Sequence, residues 1–276
     1  MMRSLWTAAS GMRAQQVNVD TIANNVANIN TIGYKSQQAS FKSLLYQNLQ
    51  STSTNNAGEN KPVAAEVGLG SRVAAITSTF TQGNLTHVEN PFSVALEGDG
   101  FFQIRTESGE LQYTRDGSFE ISPVANGNML CTSDGNPVLD AYGNQIILPS
   151  NRVATDLVVN QDGTLAFPDG TGNPAVITDA NGRPVKFGIY QFNNPAGLSK
   201  EGSNNYSVTV ASGAAVAENG NAAVKQTKTH QYYTEASNVD VANEMVNLIV
   251  AQRAYVMNSK AIHASDEMMQ QANALR

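Results

Sequence analysis

Apolar side chains near the amino end recur at alternating steps of three and four, placing Leu5, Ala8, Met12, Gln15, Val19, Ile22, Val26 and Ile29 on one stripe. A heptad pattern held over about 25 residues predicts a helix roughly 38 Å long, with one narrow seam that another surface must cover. The stripe stops at Asn30-Thr31-Ile32-Gly33, where Gly33 can take the positive φ of a helix stop and Asn28 and Asn30 can satisfy loose backbone groups. The carboxyl end steps the same way through Val241, Met245, Leu248, Gln252, Tyr255, Ser259, Ile262, Asp266 and Met269. Ser237 or Asn238 is expected to cap this second helix, with Asp240 set favourably against its dipole. Gln15, Gln252, Ser259 and Asp266 are polar members of the seams, and polar seam residues fix register while weakening the pairing.

Between the two ends the helical period vanishes. Short β-type runs replace it at 92–97, 101–105, 146–148, 157–159, 187–192 and 206–210. They are punctuated by Asp99-Gly100, Asp116-Gly117, Asn126-Gly127, Asp134-Gly135, Asp162-Gly163, Asp169-Gly170 and Asn181-Gly182, and Asx-Gly between such runs is the strongest short-range hairpin signal. The pattern predicts an α+β chain: terminal helices forming an α-helical coiled-coil domain, with a central antiparallel all-β domain inserted between them. The expected boundaries are a helix and following turn at 1–46, a polar extended linker at 47–84, the β domain at 85–210, a small-residue return connector at 211–234 and the second helix at 235–276.

Composition changes this picture mainly by exclusion. Charged residues make up only 14% of the 276, the net charge is −6, and Lys and Arg form no long run, so the electrostatic footprint of nucleic-acid binding is missing. His87, His230 and His263 lie far apart and Cys131 is the single cysteine, so the sequence offers no metal-ligand spacing and no internal disulfide. The first residues lack the apolar core of a Sec-type signal peptide, and no run reaches the ~20 apolar residues that span a bilayer. Gly68-Leu-Gly70 and Glu97-Gly-Asp-Gly100 do not fit phosphate-binding loops, and the Asp-Gly acids fall one per turn rather than at calcium-loop spacing. Asn84-Leu-Thr86 and Asn205-Tyr-Ser207 match the glycosylation sequon by chance. Glu97, Asp99, Asp116 and Glu120 are the nearest approach to a paired-carboxylate cleft of a cell-wall-cleaving enzyme, but their glycine neighbours favour turns. The expectation is therefore a protein without catalytic residues, cofactor, metal or small-molecule substrate, whose two seams are completed by neighbouring copies. A binding module built on the β domain, residues 85–230, is the remaining reading from another class.

Three ordered blocks carry a more specific resemblance. Met2-Arg-Ser-Leu-Trp-Thr-Ala-Ala-Ser-Gly-Met12, Ile22-Ala-Asn24-Asn25-Val-Ala-Asn28 and Asn30-Thr-Ile-Gly33-Tyr34-Lys35 resemble the amino-terminal signature of the flagellar rod and hook family. Phe80-Thr-Gln-Gly83, Ala95-Leu-Glu-Gly-Asp-Gly-Phe-Phe102 and Tyr113-Thr-Arg-Asp-Gly-Ser-Phe119 are similar to its β-domain hallmarks. Ser237-Asn-Val-Asp-Val241, Glu244-Met245, Ala251-Gln-Arg-Ala-Tyr255 and Asn258-Ser-Lys260 are similar to its carboxyl-terminal signature. The connector departs from the family, with Tyr233-Thr-Glu-Ala where a Gly-rich lead and Leu-Glu are expected before Ser237.

The resemblance implies a subunit of the distal rod of the flagellar basal body, with a proximal rod or hook-type subunit as the alternative. It implies a hollow helical homopolymer that transmits torque and lines the export channel. Other rod proteins, the hook protein, the P and L ring proteins and the flagellar type III export apparatus are the implied partners. The implied location is the rod crossing the periplasm, reached without a cleaved signal peptide. The residues expected to carry assembly are Leu5, Met12, Val19, Ile22, Asn24, Asn25, Val26, Asn28, Ile29, Gly33, Tyr34, Val241, Met245, Leu248, Gln252, Tyr255, Ile262 and Met269.

Overall fold

The computed structural model describes residues 2–50, 65–124, 127–150, 152–168, 174–179, 182–220 and 224–274. They form two compact units, one from Met1–Ala27, Gln37–Ser78 and Asp240–Arg276, the other from Asn28–Ser36 and Thr79–Val239.

The first unit holds both long helices, α1 (Met2–Ala27) and α2 (Val241–Ala274). The α1 stripe turns inward as its spacing predicts: Ala8 and Ile22 are buried, and Leu5, Met12, Gln15, Val19 and Val26 are half-buried. The helices contact each other in antiparallel order. Ser4 Oγ lies 3.2 Å from Ser265 Oγ, Gly11 packs against the Asn258 side chain, and Asn25 Nδ2 donates to Glu244 Oε1 at 3.1 Å. Two expectations are corrected. Helix α1 ends at Ala27, before Ile29 and Gly33, and the cap of α2 is Asp240, whose Oδ1 accepts from Ala242 N at 2.9 Å and Asn243 N at 3.4 Å. Asn238 cannot cap because its side chain is engaged elsewhere.

A β-ribbon completes this unit, with β1 (Gln37–Ser43) paired to β4 (Ser71–Ser78) and β2 (Tyr46–Gln50) paired to β3 (Ala65–Gly68). Leu44 N to Gly70 O (2.8 Å) and Leu69 N to Leu45 O (3.2 Å) join the two ladders. The described part of 47–84 thus carries strands, while 51–64 lie outside the described residues. Isolated two-stranded ribbons are marginal in water, and this one leans on α1. Asn25 is its anchor, donating to Gln37 O and accepting from Gln37 N, both at 2.8 Å.

The second unit contains β5 (Leu85–His87), β6 (Val94–Glu97), β7 (Phe101–Arg105), β8 (Leu111–Thr114), β9 (Glu120–Val124), β10 (Gly127–Cys131), β11 (Ile147–Leu148), β12 (Val158–Val159), β13 (Leu165–Pro168), β14 (Pro174–Val176), β15 (Ile189–Gln191), β16 (Ser199–Gly202), β17 (Asn205–Ser207), β18 (Val216–Ala217), β19 (Lys228–Gln231) and β20 (Tyr233–Glu235). The described ladders are antiparallel, and the widest sheet runs β16-β17-β8-β7-β15-β18. Strand β7 lies between two cores. Phe102 and Ile104 enter the main cluster with Val94, Leu96, Phe119, Leu130 and Phe187, while Phe101 enters a smaller aromatic cluster with Tyr113, Phe192 and Tyr206. Successive strand residues face opposite sides, so burial on both faces explains the unbroken Phe-Phe-Gln-Ile run.

Candidate assembly interface

Three segments remote in sequence converge inside the β unit. Glu235, at the end of β20, sends Oε1 to Lys35 Nζ at 2.6 Å and to Gly83 N at 2.9 Å, and its Oε2 lies 3.4 Å from Arg115 Nη1. All three charged side chains are at most 2% exposed. Lys35 Nζ also donates to Thr81 O at 2.8 Å, and the Arg115 guanidinium stacks 4.9 Å above the Phe101 ring. Burial pulls the Lys35 amine below its ordinary pKa, with Glu235 opposing and the like-charged Arg115 adding to the fall. Burial lowers Arg115 in the same way.

The backbone around these charges is pinned just as closely. Gly33 N donates to Glu235 O at 2.8 Å, and Ser36 N donates to Asn238 Oδ1 at 2.7 Å. Asn238 Nδ2 donates to Thr79 O at 2.8 Å and Thr81 Oγ1 at 2.9 Å. Gly33 has φ 70°, and a Cβ there would stand 2.9 Å from the Arg115 carbonyl carbon; a Cβ on Gly83 would run into the Ala236 carbonyl oxygen. These two glycines are therefore close-approach positions of the junction. Tyr34 is buried beside them and Asn28 accepts from Thr31 at the entry to the segment.

The helical unit presents the opposite kind of surface. The α2 residues turned inward are Glu244, Leu248, Ala251, Ala254, Asn258, Ser259, Ile262, Ser265 and Met269. Of the expected seam, Leu248, Ser259, Ile262 and Met269 are turned inward, whereas Val241, Met245, Gln252, Tyr255 and Asp266 are exposed. Asn24 is also exposed on α1. A second stripe, which the periodicity reading passed over, runs along Val246, Val250, Met257, Ala261, Ala264 and Met268 in steps of three, four and seven, roughly opposite the expected seam and about a third of a turn from the inward face at 3.6 residues per turn. Its residues are exposed, Val250 at 60% and Met257 at 64%. On α1, Trp6 is 74% exposed above a groove lined by Ala9, Arg13, Val17 and Val73, and on the ribbon Leu45 is 81% exposed. Among the described residues no group of three His, Cys, Asp or Glu could hold a metal ion, and no helix is long and apolar enough to cross a membrane.

Residues 5–35 match the flagella basal body rod protein family, residues 95–167 the flagellar hook protein FlgE/F/G D1 domain, and residues 230–275 the flagellar basal body rod FlgEFG protein C-terminal domain. The flagellar basal-body rod protein FlgG of Borreliella burgdorferi is 42% identical, covering 100% of this chain and 99% of its own length. The protein of that name in Caulobacter vibrioides is 37% identical with both chains fully covered. The chain belongs to the flagellar basal-body rod protein family. The flagellar hook-basal body complex protein FlhP of Bacillus subtilis, 33% identical over the full length of both chains, is a further relative.

As a member of this family the chain is a structural subunit of the distal rod, not an enzyme, and it assembles with other rod and hook components. Each of the three family regions supplies one member of the buried triad: Lys35 closes the first, Arg115 stands in the second and Glu235 in the third. The motif spelling gave these residues no role, because a pairing across 80 to 200 positions leaves no periodic trace. The available signal was three charges set among glycine and tyrosine in a chain poor in charge.

Proposed function

We propose that the two terminal helices of this rod subunit pair as a coiled coil and pack against the same helices of neighbouring copies. The resulting hollow helical tube lines the export channel and transmits torque from motor to hook. The observation that carries this reading is the second apolar stripe of α2, Val246 to Met268, lying exposed about a third of a turn away from the face that α1 covers. A helix apolar on all sides belongs inside an assembly, and an unclosed heterologous contact repeats into a filament. In this reading Leu5, Met12, Val19, Ile22, Val26, Leu248 and Ile262 hold the pair within a copy, while Val241, Met245, Tyr255, Val250 and Met257 meet its neighbours. Asn25 sets register. The other rod proteins, the hook protein, the P and L ring proteins and the type III export apparatus are the partners we assign, with the rod crossing the periplasm as the location.

The test is substitution at the exposed stripe. Val250→Glu and Met257→Glu are expected to leave the monomer's circular dichroism unchanged and to abolish polymerisation in vitro and motility in cells. Normal rods from the double variant would overturn the reading.

A further inference from the structure

The triad holds two cations and one carboxylate away from water, an arrangement that stability alone does not call for. A buried ion pair replaced by well-packed apolar residues of similar volume is often no less stable, whereas removing one partner is strongly destabilising. Arg115 shows the cost directly: its Nε is buried without a hydrogen-bond partner, and its contact with Glu235 is the long one at 3.4 Å. What charges provide and apolar side chains do not is a single allowed alignment. Lys35 Nζ is satisfied only with Glu235 Oε1 and Thr81 O in reach together, and Glu235 Oε1 must also accept from Gly83 N. The two connectors that this alignment fixes run side by side, Gly33 N on Glu235 O and Ser36 N on Asn238 Oδ1. One of them follows α1 in sequence and the other precedes α2.

We propose that Lys35, Arg115 and Glu235 are positioning residues, a register lock that holds the two connectors in one alignment on the β unit and adds little to that unit's stability. The lock sets the phase in which the chain leaves the unit at residues 28 and 239. A polymer needs every copy to leave in the same phase, so the functional part of the inference rests on the assembly reading above.

The experiment uses the full chain and two variants. In Glu235→Gln the two cations face each other uncompensated, and the amides of Gly33, Ser36 and Gly83 are expected to exchange about a hundredfold faster. The triple variant Lys35→Met/Arg115→Met/Glu235→Leu is expected to melt at or above the wild-type temperature. Its connectors nevertheless give more than one set of amide resonances, and it forms irregular polymers or none. A triple variant with a single set of connector resonances and wild-type exchange would overturn the lock, and so would one whose β unit unfolds, since the triad would then be an ordinary stabiliser. Unchanged exchange in Glu235→Gln would overturn it as well. Wild-type chain that fails to polymerise alongside would strike the assembly reading alone, because the exchange data decide the lock without it.

Discussion

Tyr206 shows how a single buried group writes itself into pH dependence. It is 3% exposed among Phe80, Phe101 and Arg115, and burial, outweighing the nearby Arg115 cation, pushes its phenol up to about 12 from the ordinary 10.0. Below pH 10 both folded and unfolded chains carry the protonated phenol and the stabilisation is whole. Between pH 10 and about 12 the unfolded chain ionises first, so stability falls as pH rises, by up to about 3 kcal/mol. Lys35 acts in the opposite sense, because burial lowers its amine and alkaline pH relieves that cost. Tyr206→Phe is therefore expected to make the alkaline limb shallower, by about 2 kcal/mol at pH 11.5. Denaturant midpoints measured from pH 9 to pH 11.5 would show it, and an unchanged limb would count against the assignment. None of this was visible in the sequence, where Tyr206 is one β-type residue in a polar stretch and the rings it touches, Phe80 and Phe101, lie more than a hundred positions away.

At the scale of elements, legibility followed the number of faces each element buries. Helix α1 was read correctly along its stripe because one side is covered and another carries Arg3, Arg13, Gln16 and Asp20. Helix α2 was read on a stripe rotated from its true inner face, since apolar residues lie all around it and periodicity cannot choose among them. Asx-Gly turns were legible too: Gly135 N returns to Thr132 O at 2.8 Å and Gly163 N to Asn160 O at 3.0 Å, each closing a tight hairpin. The ribbon of β1 and β4 was not, because Gln-Gln-Ala-Ser-Phe-Lys-Ser buries only Ala39 and reads as part of the turn after the first helix, while β4 falls in the stretch that reads as a polar linker. The same burial logic ranks substitutions. Ile22→Ala, at a position 5% exposed, is expected to destabilise the helical unit by about 2–4 kcal/mol. Val250→Ala, 60% exposed, should stay within about 0.5 kcal/mol in the monomer. Helical ellipticity followed through urea denaturation tests both, and similar losses from the two would contradict the burial assignment.

At the scale of the whole molecule, one unit is well filled and the other sparsely filled. The β unit buries Phe101, Phe102, Ile104, Phe119, Leu139, Ile146, Leu148 and Leu165 almost completely. Among the described residues of the helical unit, the buried apolar side chains are Ala8, Ala14, Ile22, Ala39 and Ala251, four of them alanine. Hydrophobic stabilisation scales with the apolar area removed from water, and long helices draw most of their stability from packed partners rather than propensity. The same chain that leaves Trp6, Val250 and Met257 exposed therefore lacks the means to hold its helices firmly by itself. In a proven monomer, amides of α1 and α2 should exchange quickly while those of β6, β7 and β8 stay protected up to global unfolding. If neighbouring copies pack on α1 and α2 as proposed above, the protection of both helices should rise on polymerisation to match the β unit. Strong protection of both helices in the monomer would mean that α1, α2 and the ribbon already suffice, and the exposed stripe of α2 would need another explanation.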